Sequence, residues 1–319
     1  MLRIYMWVGA LCALIAGMMW GLVFIGPLLL PDYPALLISI GRYLAYGLIA
    51  LPLAWLDRAA LLKLSRNDWL VAALLSAVGN FLYYFCLASS IQRTGGALST
   101  MIIGTLPVVI AVAANLQRTA QATRLPWMKL LPSTALIIIG VICVNQAELG
   151  GRLGHEGFDQ WSYGFGVLLA IAAVACWTWY PLRNADWLRE NSSGSARTWA
   201  TAQGIVTLPM AIIGLLCLWS FFAIQDGDFE MPLGPEPGYF ILVIVVMALF
   251  SSWLATVCWN EASRRLPPAL VGQLIVLETL AAMAYLFIWR GDVPGITTLS
   301  GMVVLIVGVL IALKKSRAL

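Results

Sequence analysis

Ten stretches of this chain are each long and apolar enough to cross a lipid bilayer, and that narrows the fold more than any other feature. A spanning helix needs about 20 mostly apolar residues. Such runs lie at roughly 5–25, 34–55, 69–90, 95–116, 129–147, 162–182, 198–222, 239–261, 267–289 and 295–313. Of the 319 residues, 61% are hydrophobic and 11% charged, where a soluble domain has roughly 25% charged. No polar segment is long enough for a separate soluble domain. The first run is read as a span and not a cleaved signal, because nine more follow it. The expected class is an all-α polytopic membrane protein of ten transmembrane helices.

The net charge is +4, and its placement says more than its size. With the N-terminus in the cytoplasm, the inward segments hold Arg3, Arg58, Lys63, Arg66, Arg118, Arg124, Lys129, Arg183, Arg189, Arg197, Arg264, Arg265, Lys314, Lys315 and Arg317. Only Arg93, Arg152 and Arg290 fall outside, and Arg42 lies in the membrane. A bias of 15 to 3 places both termini in the cytoplasm by the positive-inside rule. The basic residues orient the chain, so nucleic acid need not be invoked, and membrane lipid is the expected contact. All six cysteines lie inside spans without metal-site spacing and read as packing residues. No metal or cofactor is implied.

The chain also repeats itself. Residues 9–20, GALCALIAGMMW, resemble 166–177, GVLLAIAAVACW, so that Trp20 meets Trp177. The same shift of 157 carries Gly47 onto Gly204 and Leu51-Pro52 onto Leu208-Pro209. Late in each half, IIIGVI (137–142) resembles LIVGVL (305–310). This divides the chain into five-helix repeats at 1–149 and 160–319, with 150–159 as an outer connecting loop. Five is odd, so the second half enters the membrane from the opposite face. Two inverted five-helix repeats are an architecture of secondary transporters.

An Arg in span 2, Leu106-Pro107 in span 4, Leu277-Glu278-Thr279 in span 9 and the I/V-G-V/I endings together resemble the drug/metabolite transporter superfamily. The EamA-type branch, with its bacterial amino-acid and metabolite exporters, is the nearest likeness and covers nearly the whole chain. Membership implies an inner-membrane transporter. Thr279 stands where the second copy of the family signature has proline, which removes the residue that would kink span 9.

Polar groups inside the spans are the candidate site. An ionised side chain at mid-membrane is costly and normally faces a cavity or a partner. Arg42 is eight residues in from Pro34, about 12 Å from the outer end. Glu278 is eleven residues past Pro267, about 16 Å from the inner end. The two therefore lie at similar depth. Two readings are open for Arg42: it snorkels to headgroups or loop carbonyls, or it faces a cavity with Glu278 as partner or co-ligand. Asn80, Tyr83 and Tyr84 share a face of span 3 at i, i+3 and i+4. Thr100 and Gly104 in span 4, Gln203 in span 7 and Gln273 in span 9 complete a polar chamber, unless each only joins helices. Trp7, Trp55, Trp69, Trp127, Trp161, Trp187 and Trp289 sit near span ends as an interfacial belt. Trp20 and Trp177 lie deeper, one towards each side, and are the gate candidates.

The expected function is secondary transport of small metabolites, most directly export of amino acids, by alternating access through a polar and aromatic chamber. Arg42 would hold the carboxylate, with two donors if geometry allows, and Glu278 the ammonium. The alternatives are export of another small organic metabolite or drug-like compound, or a channel or receptor. No enzyme is expected: His155, the sole histidine, lies in a loop, and no nucleophile–base or metal motif is present. No phosphate-binding loop is present to couple ATP. The small-molecule substrate is the expected partner, and a monomer satisfies the sequence.

Overall fold

Backbone groups cannot be left unpaired in lipid, and among the described residues every regular element is helical. The computed structural model describes residues 2–116, 127–150, 159–191, 195–224, 229–266, 271 and 274–316. In chain order the principal helices are α1 (Tyr5–Leu29), α2 (Ala35–Leu56), α3 (Arg66–Thr94), α4 (Gly96–Ile103), α5 (Leu106–Leu116), α6 (Trp127–Gly150), α7 (Gln160–Glu190), α8 (Ala196–Ile224), α9 (Pro237–Arg265), α10 (Val276–Arg290) and α11 (Ile296–Ser316). Six of them, α1 to α3 and α7 to α9, are long and apolar enough to cross a membrane. The other four expected runs fall on α4 with α5, on α6, on α10 and on α11.

Two expected boundaries move. The helix α3 begins at Arg66, where Ser65 and Asp68 form a reciprocal capping box. The helix α7 starts after Asp159, which accepts from the Trp161 and Ser162 amides. It runs to Glu190, past the 182 expected. Its last turns are polar, but Asn184 is buried among neighbouring helices, so apolarity alone underestimates its length.

Helices pack most closely in the pairs α6 with α11, α2 with α8, α3 with α7, and α1 with both α9 and α10. Missing Cβ atoms make these approaches possible. A Cβ on Gly47 would lie 2.6 Å from that of Leu208, and one on Gly204 would lie 2.7 Å from that of Ala50. The repeat-mate glycines thus form the α2–α8 crossing, a small-residue contact of the kind that joins helices in lipid. Gly9 packs on the Arg265 stem and Gly166 on the Arg93 stem, where an added Cβ would in each case lie 2.9 Å from the arginine Cβ. On α1, a Cβ on Gly17 would lie 2.9 Å from that of Leu277 and one on Gly21 would lie 2.8 Å from that of Ala281, so glycine lets α10 pack this close at Glu278.

Both α3 and α9 carry a π-helical stretch, Ser76–Leu82 and Met247–Leu254. Such wide turns are rare and concentrate at functional sites. The fourth expected span is broken at Gly104–Thr105, just before Pro107, which has no backbone donor. A turn also interrupts the chain at Ile275 before α10, where the Glu278 amide donates to the Ile275 carbonyl at 2.9 Å. The irregularity therefore recurs in span 9 without its proline, because it resides in the backbone path.

Trp7, Trp55, Trp161 and Trp289 are exposed along the bundle, as a lipid-interface belt requires. Trp187 is not. Its ring stacks on Trp199 at 3.4 Å between centroids, and its N–H donates to Asp68 at 2.7 Å.

Candidate functional site

Arg42 projects from α2 into the bundle and is 3% exposed. Its Nε donates to Ser252 Oγ at 2.9 Å and its Nη2 to the Ser251 carbonyl at 3.0 Å. The guanidinium lies over the Tyr84 ring, 4.4 Å from the centroid, with Tyr43 at 5.2 Å. Snorkelling is thereby replaced by a socket of buried hydrogen bonds and ring faces. Ser251 is fixed in turn, since its Oγ donates to the Met19 carbonyl at 2.6 Å.

Glu278 enters from the first turn of α10 and is 1% exposed. Tyr83 donates its hydroxyl to Oε1 at 3.4 Å, a weak contact. Among the described residues no ion pair joins Glu278 to Arg42. Instead the two side chains face one narrow cavity, lined also by Trp20, Val23, Tyr43, Asn80, Tyr83, Trp177, Ser251, Ser252 and Thr256. The cavity has room for about one water molecule. An organic solute of useful size needs several hundred Å³, so the bundle must part for one to enter.

An aromatic column walls the cavity. Tyr83, Trp177 and Tyr180 stack at 4.5 and 5.0 Å between centroids. Trp20 meets Trp177 edge-on at 5.0 Å and Trp259 at a tilt, also at 5.0 Å. The gate candidates Trp20 and Trp177 are therefore in contact, where the sequence reading set them towards opposite sides. The added length of α7 accounts for this, because it brings Trp177 near the middle of its helix.

Buried side-chain atoms lacking a hydrogen-bond partner gather here. Among the described residues they are Arg42 Nη1, Glu278 Oε2, the Trp177 and Trp259 N–H groups and Thr279 Oγ1. Each such group carries a desolvation penalty that water or a ligand would remove.

Of the sequence candidates, the structure brings Arg42, Asn80, Tyr83, Glu278, Trp20 and Trp177 onto the cavity, with Tyr84 beneath the guanidinium. It does not bring Thr100, whose hydroxyl donates to its own helix at the Gly96 carbonyl, 2.6 Å away. Nor is Gly104 on the cavity lining: it packs against Thr279, whose methyl an added Cβ would meet at 3.1 Å. Gln203 belongs to a separate amide cluster. Its Oε1 accepts from Tyr180 at 2.9 Å, and its Nε2 donates to Asn184 Oδ1 at 3.2 Å. Gln273 lies outside the described residues. Ser251, Ser252, Tyr43 and Thr256 were not anticipated. The one signal for the serines was a pair of adjacent hydroxyls in an apolar run, LFSSWLAT.

Comparisons with known proteins bear on the family and the fold. The model of the EamA-like transporter family matches residues 7–146. The inner membrane protein YtfF of Escherichia coli (strain K12) is 53% identical over 306 residues, covering 96% of this chain and 95% of its own. The uncharacterized transporter YetK of Bacillus subtilis (strain 168) is 24% identical over 252 residues, covering 78% of this chain and 69% of its own. One protein of known crystal structure shares the fold with a TM-score of 0.68 and 18% identity, over 97% of this chain and 98% of that one. With half its residues shared with an inner-membrane relative along almost the whole length, and a family match through its first half, this chain belongs to the EamA-like transporter family of the drug/metabolite transporter superfamily.

Proposed function

We propose that this transporter exports small zwitterionic metabolites, amino acids above all, by alternating access around the Arg42–Glu278 cavity. One observation carries the reading: a buried guanidinium and a buried carboxyl group face a common cavity, each with one polar atom unpaired. A zwitterion supplies the two complementary charges, and the aromatic column receives its side chain. The aromatic column also favours a second reading, a flat organic metabolite or drug-like compound that stacks on the same rings.

The reading rests on ten spans in two inverted halves, 1–149 and 160–319, joined by an outer loop at 150–159. Several observations support it. Gly9 and Gly166 make the same contact with Arg265 and Arg93, exchanged between halves. Repeat mates Gly47 and Gly204 share one crossing. Both halves carry a π-helical stretch in their third span. The inward bias of Arg and Lys supports cytoplasmic termini at the inner membrane. Protease treatment of intact cells carrying tags at both ends tests that orientation, and cleavage of the C-terminal tag would overturn it.

Counterflow in proteoliposomes tests the function. Labelled amino acid outside should exchange for unlabelled amino acid inside with saturation. Flux that rises linearly with concentration and shows no counterflow would mean a channel. Transport by Glu278→Gln that stays concentrative and pH-dependent would rule Glu278 out as a proton carrier.

A further inference from the structure

Arg42 reaches the cavity with two of its three nitrogens already engaged. Nε is bonded to Ser252 Oγ and Nη2 to the Ser251 carbonyl. Nη1 alone has no partner. A forked grip on a carboxylate needs two parallel N–H donors, and the edge formed by Nε and Nη2 is closed. The acceptors are neighbours on the π-helical stretch of α9. Its wide turn sets the carbonyl of one serine and the hydroxyl of the next on a single guanidinium. Ser251 is tied to α1 through the Met19 carbonyl, and the ring of Tyr84 covers one guanidinium face. Ser252 is itself buried and lines the cavity.

Resting on the reading of this cavity as the substrate site, we propose that Ser252 is a positioning residue for Arg42. It holds the Nε–Nη2 edge of the guanidinium against α9, so that a carboxylate meets only the end formed by Nη1 and the second Nη2 hydrogen. Discrimination between an acid and its amide then depends on where Ser252 keeps that end of the guanidinium.

The test uses full-length protein with isotope-labelled arginine in lipid nanodiscs. The Arg42 Nε–H resonance is identified by its loss in Arg42→Lys. In Ser252→Ala its exchange with water should quicken about tenfold, as loss of a buried hydrogen bond allows, and Ser252→Thr should restore protection. Equal protection in Ser252→Ala would overturn the proposal, whatever the substrate. In proteoliposomes with labelled amino acids, Ser252→Ala should raise KM about tenfold, hold Vmax and flatten the preference for acid over amide. Ser252→Thr should recover both. A fall in Vmax alone, or a KM defect that threonine does not rescue, would also overturn it. If the wild type takes up no amino acid, the proposed function falls, while the exchange measurement still decides the role of Ser252.

Discussion

Two of the buried polar clusters in this bundle use their hydrogen-bonding capacity differently. Around Asn184 the amides satisfy one another. Asn184 donates to Asn260 at 2.8 Å and accepts from Trp199 at 2.8 Å and from Gln203. Asn260 donates to the Ala196 carbonyl at 3.3 Å, and Ser76 donates to the Gln203 carbonyl at 3.2 Å. Asp57 is closed by Arg197 nearby. None of these amide side chains has an unpaired buried atom, whereas all the unpaired atoms among the described residues collect around Arg42 and Glu278. Equal burial with unequal satisfaction separates a cluster that joins helices from one that awaits a partner.

The widest separation between the clusters should come from charge removal. Breaking a buried charge contact costs about 2–5 kcal/mol. Arg42→Ala or Glu278→Ala should therefore weaken substrate binding at least about tenfold while folded yield, read by size-exclusion chromatography, holds. Wild-type KM in either variant would place the site elsewhere. Asn184→Ala should do the reverse, lowering the melting temperature with KM unchanged. It strips three hydrogen bonds, each worth about 0.6 kcal/mol on average in membrane helices and up to about 1.7. A selective rise in KM would instead mean that the amide cluster reaches the substrate.

A smaller effect concerns the tryptophans. Trp20 and Trp177 touch, so Trp20→Ala and Trp177→Ala should not add in access of a thiol probe to the cavity. Coupling of about 0.5–1.5 kcal/mol is expected for such a pair. Strict additivity would mean independent gates on separate sides, and no change in access or transport would leave both as packing residues.

How much of this was legible in one dimension follows from the same contrast. The all-helical class and the six long apolar spans are properties of apolar runs and needed no coordinates. Arg42 and Glu278 stand out because a charge in an apolar run has few innocent explanations. Asn80 and Gln203 look alike in sequence, each an amide inside a span. Only their neighbours tell them apart: one faces the cavity, the other is closed by Tyr180 and Asn184. Ser252 gave little signal, because a hydroxyl on a helix ordinarily bonds its own backbone. Its meaning depends on the π turn that aims it at Arg42. Depth counted from span ends misplaced Trp177, since burial among polar neighbours extends α7 beyond its apolar run.

Competition for uptake of a labelled amino acid into proteoliposomes, by the unlabelled acid, its amide and its decarboxylated amine, tests the central claim most directly. If Arg42 holds a carboxylate and Glu278 an ammonium, the acid should compete and the amide and amine should fall behind by about tenfold or more. An amine that competes as well as the acid would remove the carboxylate contact and leave Arg42 as a structural tie between α2 and α9.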